Sequence, residues 1–176
     1  ANNSPEYLET YMGLQLAGLV AVPANYRLTA EELVYLVNNS RSSALVIGEE
    51  FLPLLNTLQT RIPFEPDKIV VIGGDHAKSY ERLIAAASSV AMPSRARLAN
   101  PGAIVYTSFT TGFPKGAMMS HLTMLTRFSS WGWRFGITED EVTLVPGPIF
   151  HQSFGSVAIV SLCVGAKVIL RSEGRG

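Results

Sequence analysis

The chain has 176 residues, enough to bury a substantial core, and one α/β unit over 1–176 is the expectation. Lys+Arg and Asp+Glu both total 14, so no long-range field draws in nucleic acid or an anionic membrane, and nucleic acid drops out as a partner. Hydrophobic residues make up 47% and charged residues 16%, a balance that leaves apolar surface to meet protein outside these residues.

The chain starts at Ala1 without a methionine and stops at EGRG directly after an apolar run, which reads as an excised piece of a longer protein, a processed or tag-cleaved terminus being the other reading of the start. ANNSPEYLE lacks the basic-then-apolar order of a signal peptide. In NSPEYLETYMGLQLAGLVAVP, Ser4 is a helix N-cap with Pro5 at the first helical position, and Gly18 ends the helix before a short strand Leu19–Pro23. TAEELVYLVNNS repeats the pattern with capping-box spacing at Thr29 and Glu32 and a stripe of Leu33, Leu36 and Val37. A strand at Ala44–Ile47, a helix near Glu50–Gln59, a strand at Ile69–Ile72 and a helix near Ser79–Ala87 follow.

Prolines and small polar residues make the stretch near 88–101 a surface connection. Ala103–Thr107 then reads as a strand, followed by a polar loop, a helix near Leu122–Trp133 with Ser120 as its cap, a strand Val142–Val145, a helix near Gln152–Val164 and a strand Ala166–Leu170. Phe154–Leu170 is interrupted by glycines and Lys167, so no transmembrane segment is expected. Cys163, the one cysteine, permits no internal disulfide and reads as a buried apolar residue, in keeping with a reducing cytoplasm; no Cys/His spacing suggests a metal site. His121 reads as structural and His76 as solvent-facing, while Trp131 and Trp133, two positions apart, cannot share a face. Val- and Ile-rich strands separated by helices imply a mostly parallel sheet flanked by helices.

Ligands of such sheets collect beyond the carboxyl ends of strands, where VYTSFTTGFPKGAMMSH falls. Thr107, Ser108, Thr110 and Thr111 supply hydroxyls, Gly112 and Gly116 allow close backbone approach, and Lys115 adds a mobile cation, the residue types a polyphosphate requires. Lysine precedes Gly116 and Ala117 follows it, so the loop is not a Walker A element, nor is it GxGxxG. An ordinary Thr/Gly turn remains the other reading of the same composition.

Residues Tyr106–Gly116 resemble the signature YTSGTTGxPKG of the AMP-forming adenylating enzymes at every defined position but one. The N-terminal stretch through Val46 is similar to that of an acyl-CoA synthetase (fatty-acid:CoA ligase), and PGPIFHQSFG, Pro146–Gly155, resembles the family's downstream PLFHxxG motif. The resemblance implies part of the large N-terminal domain of an AMP-forming ligase. It also implies a reaction in which a small carboxylic acid attacks the α-phosphate of ATP and the acyl group then passes to CoA, with Mg²⁺ sharing the phosphate charge. On that analogy Ser108, Thr110, Thr111, Gly112 and Lys115, with Thr107 and Gly116 beside them, hold the β- and γ-phosphates. Phe150 shapes the acyl-adenylate pocket, and His151 is a second-step contact or else a packed or capping histidine.

The departure is Phe109, where the family has glycine. If that backbone must take positive φ or lie against a phosphate, the substitution costs roughly 1–3 kcal/mol. Relatives that load a carrier thiol, and noncatalytic nucleotide-binding or structural relatives, therefore stay open beside the CoA ligase. The residues present include no metal ligands of the family, and without the remainder of the parent chain the piece is expected to be inactive.

Overall fold

The computed structural model describes residues 1–58, 60–62, 64–75, 79–90, 92–107 and 113–171. They group into two compact units, Ala1 with Tyr26–Pro93, and Asn2–Asn25 with Ser94–Gly176.

In the first unit, Thr29 caps α2 (Ala30–Ser40) with a complete capping box: Thr29 Oγ1 accepts from the Glu32 N–H at 3.4 Å, and Glu32 Oε2 accepts from the Thr29 N–H at 2.8 Å. β1 (Leu45–Gly48) pairs in parallel with β2 (Ile69–Ile72), Leu45 opposite Ile69. Between them a 3₁₀ turn, Glu49–Phe51, runs into α3 (Leu52–Leu58), where sequence pattern alone gave one helix. Val37, Ile47, Leu55, Leu58, Ile62 and Val71 form the core. Ser79 caps α4 (Tyr80–Ala86) by accepting from the Arg82 N–H.

In the second unit, α1 (Pro5–Leu16) starts as its sequence dictates, with Ser4 accepting from the Tyr7 N–H and proline in the first turn. The strand expected at Leu19–Pro23 is reduced to a single parallel bridge, Ala21 to Ala103. Only Ala21 is buried there, while Leu19 and Val20 face outward, so the segment touches the sheet at one point.

β3 (Pro101–Tyr106) pairs antiparallel with β4 (Gly116–Ser120), a strand where the residue types predict loop. GAMMS has no β-branched residue, and its strand character comes from the pairing with β3. Ser120 then caps α5 (His121–Phe135), accepting from the Thr123 N–H. In α5 the Trp131 ring packs edge-on against Phe135, whereas Trp133 is 91% exposed.

β5 (Val142–Val145) and β6 (Lys167–Leu170) are parallel, joined by α6 (Gln152–Cys163) as the crossover. Their inner face packs with Leu8, Ile149, Ala158 and Ile159. Val142, Leu144 and Ile169 lie on the other face, about half exposed each (56%, 61% and 48%). Cys163, expected to be buried, is exposed: it ends α6, beyond the buried run Ala158–Ser161. No helix among the described residues is long and apolar enough to cross a membrane.

One buried side chain ties this unit together. Asn3 donates from Nδ2 to the Gly147 carbonyl at 2.8 Å and to the Arg171 carbonyl at 3.1 Å, and its Oδ1 accepts from the Ile149 N–H at 2.8 Å. A carboxamide supplies two donor hydrogens and an acceptor oxygen from one side chain, which matches this set of partners. Asn3→Ala is expected to destabilise the chain by about 2–4 kcal/mol, read as a lower urea midpoint, because it leaves buried backbone groups unpaired. Asn3→Asp should rescue little, since it keeps the acceptor and loses the donor.

Candidate active site

The polar loop that reads as a phosphate cradle connects two antiparallel strands. Its ends are closed by Thr107 and Lys115: the Thr107 N–H donates to the Lys115 carbonyl at 3.1 Å, and the Lys115 N–H donates to Thr107 Oγ1 at 3.1 Å. Both side chains are exposed, Phe113 is 80% exposed and Pro114 is buried. Ser108, Phe109, Thr110, Thr111 and Gly112 lie outside the described residues. Gly116 sits opposite Tyr106, and a Cβ there would come within 2.7 Å of Ile104 Cγ2 and 3.1 Å of the Tyr106 ring. Glycine at this position lets two side chains lie across the strand beside the loop.

The second locus is the turn between β5 and α6. His151 is the N-cap of α6, its Nδ1 accepting from the Ser153 N–H at 3.4 Å; it is exposed, with its ring centroid 6.2 Å from that of Phe154. This is the capping role open to it from sequence, and it leaves the imidazole at the surface. Gly155 is required by close approach, since a Cβ would fall 2.3 Å from the Ile149 carbonyl oxygen. Phe150 faces a pocket lined also by Tyr7, Tyr11, Pro23, Phe128 and Ser156.

The structure thus joins Thr107, Lys115 and Gly116 at one strand end, and Phe150 and His151 at the start of α6. Sequence reasoning missed Asn3, hidden in a run that reads as a helix cap, and Arg127, whose Nη1 donates to Gln152 Oε1 at 2.5 Å. A cation in the middle of α5, away from the last turn where Arg134 sits, was the available signal for the latter. Among the described residues no three of His, Cys, Asp and Glu gather into a group that could hold a metal ion.

Burial pushes the Tyr7 phenol well above its usual range, with Tyr11 nearby reinforcing the shift. Tyr11 is pushed up to about 12 by burial, opposed by the charge of Arg127.

The class of protein is thus α/β, with a loop leaving β3 whose ends are joined by Thr107 and the Lys115 backbone, and a Phe150–His151 turn at the start of α6. This chain belongs to the family of AMP-binding enzymes, whose family model matches residues 1–175. A crotonobetaine/carnitine–CoA ligase of Salmonella arizonae is 30% identical, the match covering 96% of this chain and 34% of the relative. Among solved structures, an anthranilate CoA ligase in complex with anthranoyl-AMP matches with a TM-score of 0.88 at 25% identity, covering 99% of this chain and 34% of that one. ATP-bound MatB from Rhodopseudomonas palustris matches with a TM-score of 0.84 at 25% identity, covering 100% and 34%. The fold is therefore that of the N-terminal domain of an AMP-forming ligase. The chain spans about a third of the length of the curated relatives it matches, 32% and 34% for two of them.

Two outcomes are expected from this geometry. Gly116→Ala should cost roughly 1–3 kcal/mol through overpacking against Ile104 and Tyr106. It should also speed amide exchange at Thr107 and Lys115, read by NMR, as the closure of the loop loosens. The raised Tyr7 and Tyr11 pKa values make neutral phenols a property of the folded state. Their contribution to stability is complete below the unfolded value of 10.0 and is lost as pH climbs from there through the folded values. The urea midpoint should accordingly fall from pH 10 upward, and the fall should be shallower in Tyr7→Phe/Tyr11→Phe.

Proposed function

We propose that this chain is the phosphate-handling part of a ligase that activates a small carboxylic acid with ATP and passes the acyl group to CoA. A carboxylate oxygen bonds to the α-phosphorus as the bond to pyrophosphate breaks; the CoA thiolate then bonds to the acyl carbon as AMP leaves. The hydroxyl and glycine loop, Thr107, Ser108, Thr110, Thr111, Gly112, Lys115 and Gly116, would hold the β- and γ-phosphates. Its work is to stabilise charge on the departing pyrophosphate, the kind of task fixed donors do well. Phe150 and His151 would meet the acyl-adenylate.

The observation that carries this reading is the closure of the signature loop by Thr107 and Lys115 at the end of β3 in a member of the AMP-binding family. Support also comes from the anthranoyl-AMP and ATP complexes of the two structural relatives.

The test is acid-dependent ATP–pyrophosphate exchange and acyl-CoA formation by the longer protein, across short, long and aromatic acids. Lys115→Ala is expected to lower kcat/KM for ATP by about 10²–10³ with the urea midpoint unchanged. Phe109→Gly should raise nucleotide turnover, because it restores the small residue of the signature. Exchange without transfer to CoA would favour a carrier thiol as acceptor. Absence of ATP binding in both the native protein and Phe109→Gly would overturn the ligase reading in favour of a noncatalytic relative.

A further inference from the structure

The turn that presents Phe150 and His151 is pinned on one side by Asn3, through Gly147 and Ile149. On the other side stands Arg127, in the second turn of α5. Its Nη1 donates at 2.5 Å to Oε1 of Gln152, the first residue of α6 and the next after His151. Its guanidinium carbon lies 5.3 Å from the centroid of the Trp131 ring. Trp131 is braced in turn by Phe135, ring centroids 5.7 Å apart and planes at 79°.

A planar cation resting on an indole and hydrogen-bonded at one nitrogen has little freedom left. The partners that hold it, an amide and a ring, are neutral, so the contact works by direction more than by charge pairing. Its covalent setting gives it reach, because α5 begins at the Ser120 cap immediately after β4, the strand that leaves the signature loop.

We propose that Arg127 is a positioning residue: through Gln152 it sets the first turn of α6 and thereby the orientation of His151 and Phe150, linking the helix that descends from the signature loop to the turn that meets the acyl group. The part of this concerning acyl transfer rests on the function proposed above; the part concerning the orientation of His151 does not.

Arg127→Met removes the guanidinium and keeps the apolar stem, Gln152→Ala removes its acceptor, and Arg127→Lys restores a donor without the plane. In the chain itself, hydrogen exchange is read at Ser153, whose N–H is held by His151 Nδ1, and at Gly155, whose N–H is held by the His151 carbonyl. Both amides should exchange on the order of tenfold faster in Arg127→Met and in Gln152→Ala, the double variant should be no worse than either single one, and Arg127→Lys should recover part of the protection. The Thr123 amide, capped by Ser120 on the same helix as Arg127, should be unchanged.

In the longer protein, acyl transfer to CoA should fall about tenfold in Arg127→Met while ATP–pyrophosphate exchange stays within about twofold. Unchanged exchange at Ser153 and Gly155 would overturn the proposal. So would acceleration at every amide alongside a lower urea midpoint, the mark of a merely structural arginine, and so would equal loss in both half-reactions. If the native longer protein shows no acid-dependent exchange, the proposed function fails, and the two amides still decide the role of Arg127.

Discussion

The second unit depends on the side chain of Asn3. Its amide closes two buried hydrogen bonds to the backbone of the turn after β5 and a half-buried one to the residue after β6. Two carbonyls and one N–H at the carboxyl ends of parallel strands have no ladder partner of their own, and inside a protein each would be expensive to leave bare. Asn3 also immediately precedes the cap of α1, so the residue that completes the turn fixes where that helix starts. Leu8 is thereby delivered into the core beside Val145 and Ile149, with Tyr7 and Tyr11 packed against it.

From that anchoring the geometry of the His151 turn follows. Asn3 holds Gly147 and Ile149, Gly155 lets the Ile149 carbonyl come close, and Arg127 holds Gln152. The turn is tethered at both ends, and His151 caps the helix while its ring stays in solvent. A histidine in that position is oriented by backbone contacts before any ligand arrives, so less ordering is left for binding to supply.

Local chemistry in the sequence foretold much of this. Ser4, Thr29 and Ser120 each cap the helix expected of them, because a cap is decided within four residues, and Ser79, expected inside its helix, turns out to cap it. The strands Ile69–Ile72 and Val142–Val145 were legible from their β-branched runs. What escaped was set by partners far along the chain. GAMMS becomes a strand by pairing with residues 101–106, and Leu19–Pro23 is held to the sheet only through Ala21. Cys163 has the apolar neighbours of a core residue but sits two residues past Ser161, the last buried residue of α6. The signature loop was legible from its residue types and family likeness, yet its hairpin closure was not, since that needs the register of β3 on β4. Asn3 and Arg127 act across separations of 144 and 25 residues, where no sequence period points.

The β5–β6 pair carries one last consequence. Parallel strands are stable when both faces are covered, and here Val142, Leu144 and Ile169 line up on a face turned to water. Three adjoining oily side chains on so narrow a ribbon are adhesive. For this chain on its own, self-association through that face is the expected consequence, opposed by the charge of Lys167, which sits opposite Val142.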